Sequence, residues 1–117
     1  MPTLRIDIGE SPTEPLAAAA EFYTVDLPEI LDDCDIHSQH DVAIVFTPAP
    51  HEHRGWRLAA IQQLARDMAP RRVNALVSDD PDAIAAALVW LDRAAGVTGQ
   101  LFDLDGVGAG PVVWLCK

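Results

Sequence analysis

Tyrosine is almost missing from this sequence: Tyr23 is the only one among 117 residues. Chemistry that needs a phenol therefore has a single donor to call on. Cysteine is nearly as scarce, and Cys34 and Cys116 stand as two lone thiols, which excludes a disulfide framework and fits a reducing cytoplasm, the expected location. Basic side chains number 8 against 18 acids, for a net charge of −10. The imbalance is concentrated before Arg54, where eleven acids face only Arg5; from Arg54 onward seven acids meet seven bases. An acidic face of that kind repels phosphate backbones, so nucleic acid is not an expected partner, whereas a basic protein surface is. The N-terminus lacks the basic region and apolar run of a secretory signal. The longest uncharged apolar stretch, residues 106–116, is far too short to cross a bilayer, and no membrane partner is expected. Nor does a glycine-rich turn lead into a helix: the one glycine-dense stretch, residues 106–110, runs into Pro111. Without that turn a pyrophosphate has no cradle at a helix N-terminus, so conventional NAD(P) binding is not expected and no cofactor is assigned.

What is present is an alternation of apolar runs and amphipathic stretches. Residues 3–8 alternate apolar side chains with Arg5 and Asp7, the period of a half-buried strand. Residues 16–20 are alanine-rich and start a short helix, residues 21–26 read as a second extended segment, and residues 27–34 as a brief helical piece with Pro28 near its start. Asp32, Asp33 and Asp35 oppose the dipole at the end of that piece, which predicts that it is short. Residues 41–47 form a near-continuous apolar run, as a strand buried on both faces requires. A helix over residues 55–69 places Leu58, Ile61, Leu64, Ala65 and Met68 on one stripe, with Arg57, Gln62, Arg66 and Asp67 facing elsewhere. Residues 73–77 are the next strand. Asp80 then caps a helix with Pro81 at its first position and Ile84, Ala87, Leu88, Leu91 and Ala95 turned inward, and Gly96 supplies its left-handed stop. Residues 100–104 are the last strand.

Four words in this order, Arg72-Val73-Asn74-Ala75, the helix Ala83-Ile84-Ala85-Ala86-Ala87-Leu88 with Leu91, Thr98-Gly99-Gln100 and Asp105-Gly106, make about half the chain resemble the C-terminal third of short-chain dehydrogenases/reductases. Complete enzymes of that family are roughly twice a domain of this size, so the resemblance implies a truncated Rossmann-like scaffold. In the family, the strand equivalent to residues 41–47 ends in a catalytic Ser, and a Tyr-x-x-x-Lys helix follows. Counting back from Leu64-Ala65 puts the Lys position on Arg54 and the Tyr position on Pro50. Thr47 could mimic the Ser and Arg54 keeps the positive charge, so these two are the catalytic candidates that the resemblance leaves. Neither supplies a phenol, and arginine stays protonated. The family also places a long substrate-covering loop where this chain has only Ser78-Asp79-Asp80, and uses the helix of residues 55–69 in a four-helix dimer interface.

Two further constellations stand beside the resemblance. All four histidines fall in one region, with Cys34, His37 and His40 before residues 42–47 and His51 and His53 after them, which raises zinc as an alternative. A strand between the groups separates them by roughly 20 Å, so one site cannot take them all. Trp56, Trp90 and the apolar tail Val112, Val113, Trp114 and Leu115 are the interface candidates.

The expectation is therefore a single α/β domain, truncated Rossmann-like, with about three parallel strands, two main helices and one or two N-terminal strands. It comprises an acidic extension (residues 1–40), a β-α-β-α-β unit (41–106) and an apolar tail (107–117). The expected function is that of a non-catalytic subunit resembling a short-chain dehydrogenase. Such a subunit dimerises with itself or stabilises a partner reductase, as the structural half of modular polyketide synthase ketoreductases does beside the active half. The alternatives are half of a composite NAD(P)-dependent site and a small metal-binding protein.

Overall fold

Among the described residues four apolar strands pair in parallel and in chain order. The computed structural model describes residues 2–104. Strands β1 (Leu4–Asp7), β2 (Val42–Phe46), β3 (Val73–Val77) and β4 (Leu101–Asp103) form one sheet of order β1-β2-β3-β4. Every residue of β2 and β3 is buried, as expected of central strands covered on both faces. The edge strand β1 buries Ile6 while Arg5 and Asp7 remain exposed. Arg5 Nε and the Asp7 carboxylate lie 2.8 Å apart along this edge, and charged side chains there discourage pairing with a further strand. The N-terminal stretch thus contributes one strand.

The second extended segment expected at residues 21–26 is instead helical. Helix α1 (Pro15–Glu21), a π-turn (Phe22–Asp26) and helix α2 (Leu27–Ile36) run on without interruption. Phe22, Tyr23, Thr24 and Val25 favour strands in isolation, but the burial pattern overrides them. Ala18, Phe22, Ile30 and Cys34 are each about 1% exposed, and they are spaced by multiples of four. A regular α-helix of 3.6 residues per turn would rotate this row by roughly 160° over sixteen residues, and one inserted residue cuts the drift to about 60°. The π-turn provides that residue, with Leu27 N–H bonded to the Phe22 carbonyl. It also widens the turn ahead of Pro28, whose ring would otherwise strike the carbonyl four residues back.

Helix α2 is also longer than its acidic end predicts, because Arg71 compensates. The Arg71 guanidinium donates to the carbonyls of Cys34 (3.2 Å), His37 (3.0 Å) and His40 (2.8 Å). A fixed cation on the last carbonyls offsets the unfavourable placement of Asp32, Asp33 and Asp35.

Helix α3 (Arg54–Asp67) and helix α4 (Pro81–Arg93) lie on opposite sides of the sheet. Ala60, Ile61 and Leu64 of α3 pack with Phe22 and Ile30 against Ile44, Phe46, Val73 and Ala75. Ile84 and Leu91 of α4 pack against Ala43, Val45 and Leu76. All three connections step sideways in the same direction, so a helix on the other side means a connection of the other hand. With the first two in the usual right-handed sense, β3–α4–β4 takes the left-handed form, which about 2% of such crossovers adopt. Asp80 caps α4 by accepting from Asp82 N–H at 3.0 Å, and Gly96 adopts φ +93° just beyond it, both as the sequence predicts. Ala95 lies past the end of α4 and is exposed.

Two of the short sequence words that carry the resemblance, Arg72-Val73-Asn74-Ala75 and Thr98-Gly99-Gln100, brace the N-terminal ends of β3 and β4, while Asp105-Gly106 lies outside the described residues. Asn74, 3% exposed, donates to the Val97 carbonyl (2.9 Å) and accepts from Gln100 N–H (3.1 Å). Val73 N–H bonds to the Thr98 hydroxyl (3.0 Å). Gly99 sits at φ +72° with its N–H on the Val73 carbonyl at 2.7 Å, a backbone that a side chain would strain. Arg72 reaches Asp41 through Nε (2.9 Å) and Nη2 (2.8 Å) and the carbonyls of Leu91 and Ala94 through Nη1. These residues hold backbone in place, at the end of the sheet remote from the cleft described next.

Candidate functional site

In a parallel sheet, loops that follow the C-terminal ends of the strands are the usual place for ligands. Here the loop after β2 crosses Pro48, Ala49 and Pro50 into a 3₁₀ turn (His51–His53) and then α3. Together with Val77, Leu101 and Asp103 from the ends of β3 and β4, this corner encloses a cleft of about 40 Å³, walled also by Pro50, His51, His53, Arg54 and Arg57. A water needs roughly 10–15 Å³ on this scale, so about three fit.

His53 is 2% exposed. Its Nδ1 accepts from the Trp56 indole N–H (3.2 Å), which places the ring proton on Nε2, facing the Thr13 carbonyl at 3.1 Å. Both ring nitrogens are thus occupied in joining the start of α3 to the loop before α1. Trp56 completes an aromatic cluster, with ring centroids 5.4 Å from Phe22 and 5.9 Å from Phe46.

Arg57 departs from the sequence expectation, which turned it away from the core. It is 3% exposed, with its guanidinium carbon 4.6 Å from the Phe46 ring centroid and Nη1 donating to the Thr47 carbonyl at 2.9 Å. Burial pushes its pKa down, while Asp103 works in the opposite direction. Arg57, Ala60, Ile61 and Leu64 fall at helical spacings of three, one and three, so the inward stripe begins at Arg57. Its aliphatic stem and a π face make the position tolerable for a cation. The Arg57 Nε and Arg54 Nη1 atoms are buried without a hydrogen-bond partner among the described residues. Arg54 Nε lies 3.9 Å from the Asp103 carboxylate, at the outer limit of an ion pair.

The catalytic candidates converge only in part. Arg54 lines the cleft beside Pro50, whereas Thr47 bonds to Arg57 through its backbone. The metal candidates fall into two separate groups, as β2 between them predicts. Cys34 is buried, with its thiol pKa pushed up chiefly by burial. The His37 and His40 rings pack edge to face at 5.9 Å, with their Nδ1 atoms directed at the carbonyls of Asp33 and Pro2. Among the described residues no three His, Cys, Asp or Glu side chains gather as metal ligands. Of the interface candidates, Trp56 joins the core cluster, whereas Trp90 is 53% exposed and packs edge to face on Phe102 at 5.7 Å. Val112, Val113, Trp114 and Leu115 lie outside the described residues. No helix among the described residues is long and apolar enough to cross a membrane.

Compared with known proteins, the chain gives no significant match to a curated protein or to a solved structure. A family model does match, that of the short chain dehydrogenase-like proteins, over residues 6–104. That span takes in all three connections between the strands as well as the Arg72, Asn74, Thr98 and Gly99 braces. The chain belongs to the short-chain dehydrogenase-like family.

Proposed function

We propose that this protein is a non-catalytic short-chain-dehydrogenase-like subunit that dimerises with itself or stabilises and regulates a partner reductase. The observation that carries the reading is Pro50. It occupies the position that the resemblance assigns to the proton-donating tyrosine and lines the cleft beside Arg54, and a proline ring has no acidic proton to give. The dimensions agree, since about 40 Å³ is far below the roughly 300–1,000 Å³ of small-molecule pockets. The exposed pair Val89 (54%) and Trp90 (53%), with Trp90 against Phe102, offers an apolar surface of the type that anchors protein interfaces.

Light scattering on the full chain and co-purification from the native host test the reading. A dimer, or a complex with an active reductase, that Trp90→Ser weakens is the expected result. A strictly monomeric protein without a co-purifying reductase overturns it. A second reading gives the chain one half of a composite NAD(P)-dependent site, and the proximity of Arg54 and Thr47 to the ends of the strands favours it. Quenching or enhancement of NAD(P)H fluorescence by the chain together with its partner would select this second reading.

A further inference from the structure

The cleft at the start of α3 has two arginines built into its wall and little negative charge to meet them. Arg57 is 3% exposed, and its Nε has no partner among the described residues; the same holds for Arg54 Nη1. Among the described residues the one carboxylate in the lining is Asp103. Its side chain is 65% exposed and stands 3.9 Å from Arg54 Nε, so solvent weakens its hold on either guanidinium. Among the described residues Arg57 makes no salt bridge. A buried cation without a counter-ion is unfavourable, and an unmade buried N–H bond adds to this. The N-terminus of the fourteen-residue helix α3, from which both arginines arise, adds a field of the same sign.

We propose that this cleft binds a small carboxylate anion, whose carboxyl group pairs with the guanidinium edges of Arg57 and Arg54 that line it. Room for about three water-sized bodies suits the three heavy atoms of a carboxyl group better than the five of a phosphate. The planar guanidinium fork also matches a planar carboxylate. The remainder of the acid projects through the open side of the cleft, past His51 and Pro50. Asp103 repels the incoming charge and sets the affinity. This binding does not depend on the oligomeric reading, and a monomeric protein would leave it standing.

The test is a titration of the isotope-labelled full chain with acetate at constant ionic strength, followed by NMR. The probes are the Arg57 Nε–H and the Trp56 indole N–H, whose ring lies 5.7 Å from the Arg57 guanidinium. Saturable shifts with a Kd of about 1 mM are expected for a ligand of four heavy atoms. At tenfold that concentration the Tm rises by about 6 °C. Arg57→Met removes the saturable phase, Arg54→Met weakens binding by about tenfold and Asp103→Asn tightens it by about threefold, changes of the size expected for charge-assisted hydrogen bonds and a nearby repulsive charge. Arg54 and Asp103 are both partly exposed, so their variants decide the matter even if Arg57→Met fails to fold. Shifts that never saturate, that chloride or phosphate reproduces equally, or that ignore Arg54→Met and Asp103→Asn would overturn the proposal.

Discussion

Replacing Arg57 by methionine removes a buried side chain that makes specific contacts, and the structure nonetheless predicts a gain in stability. The lost contacts are one charge-assisted hydrogen bond to the Thr47 carbonyl (2.9 Å), about 1.5–3 kcal/mol, and the cation over Phe46 (4.6 Å), about 1–2 kcal/mol. Against these stands the withdrawal from water of a whole guanidinium with no carboxylate in salt-bridge range among the described residues, which costs several kcal/mol. Methionine fills the space of the arginine stem without that penalty. Thr47 is only partly buried, so water can reach the carbonyl that is released. The balance favours the variant by about 1 kcal/mol, or a Tm higher by roughly 4–6 °C. Urea denaturation of both proteins, in buffer free of carboxylate, checks it with the slope m as a control on two-state behaviour. A loss of more than about 2 kcal/mol at unchanged m would refute the reasoning, because the guanidinium would then be well compensated in the folded protein.

Asp41→Asn leaves Arg72 in place but removes the charge from a partly buried pair with contacts at 2.8 and 2.9 Å; an expected loss of about 1.5–3 kcal/mol would appear as a lower urea midpoint. Asp92 accepts from the Thr3 hydroxyl (2.6 Å) and N–H (2.9 Å), and these bonds hold its carboxyl below the ordinary value of 3.8. The stability this brings is complete above pH 3.8 and is lost as pH falls through the depressed value. In acid the Tm of the wild type should therefore drop more steeply than that of Asp92→Asn. Phe22→Ala empties a position that is 1% exposed between Phe46 and Trp56, at an expected cost of about 3–5 kcal/mol, and the near-ultraviolet circular dichroism of Trp56 should weaken with it.

The central elements are legible in the sequence because their burial is uniform. The runs that became β2 and β3 are apolar on both faces, and Asp80, Pro81 and Gly96 mark the ends of α4 through local chemistry. The segment around Phe22 was not legible, since its residues favour strands one by one and only the placement of Ala18, Ile30 and Cys34 in the core makes the helix win. The charge of Arg57 assigns it to solvent, although its spacing from Ala60 and Ile61 puts it on the inward stripe. The Pro50 and Arg54 pairing at the cleft could be counted out in advance, but the unpaired nitrogens that define the candidate site could not, because they depend on side-chain direction. Asn74 and Thr98 hold the starts of β3 and β4 through their hydrogen bonds, which gives those words a structural role.

The hand of the last crossover limits how this scaffold can be rebuilt. A generic βαβ segment grafted between β3 and β4 would deliver its helix to the side where α3 already lies. Ala43, Val45 and Leu76 would then be stripped of their cover. Recombination with ordinary Rossmann modules at this seam should consequently give insoluble chimaeras, whereas exchange of the β2–α3–β3 portion, built in the common sense, should be tolerated.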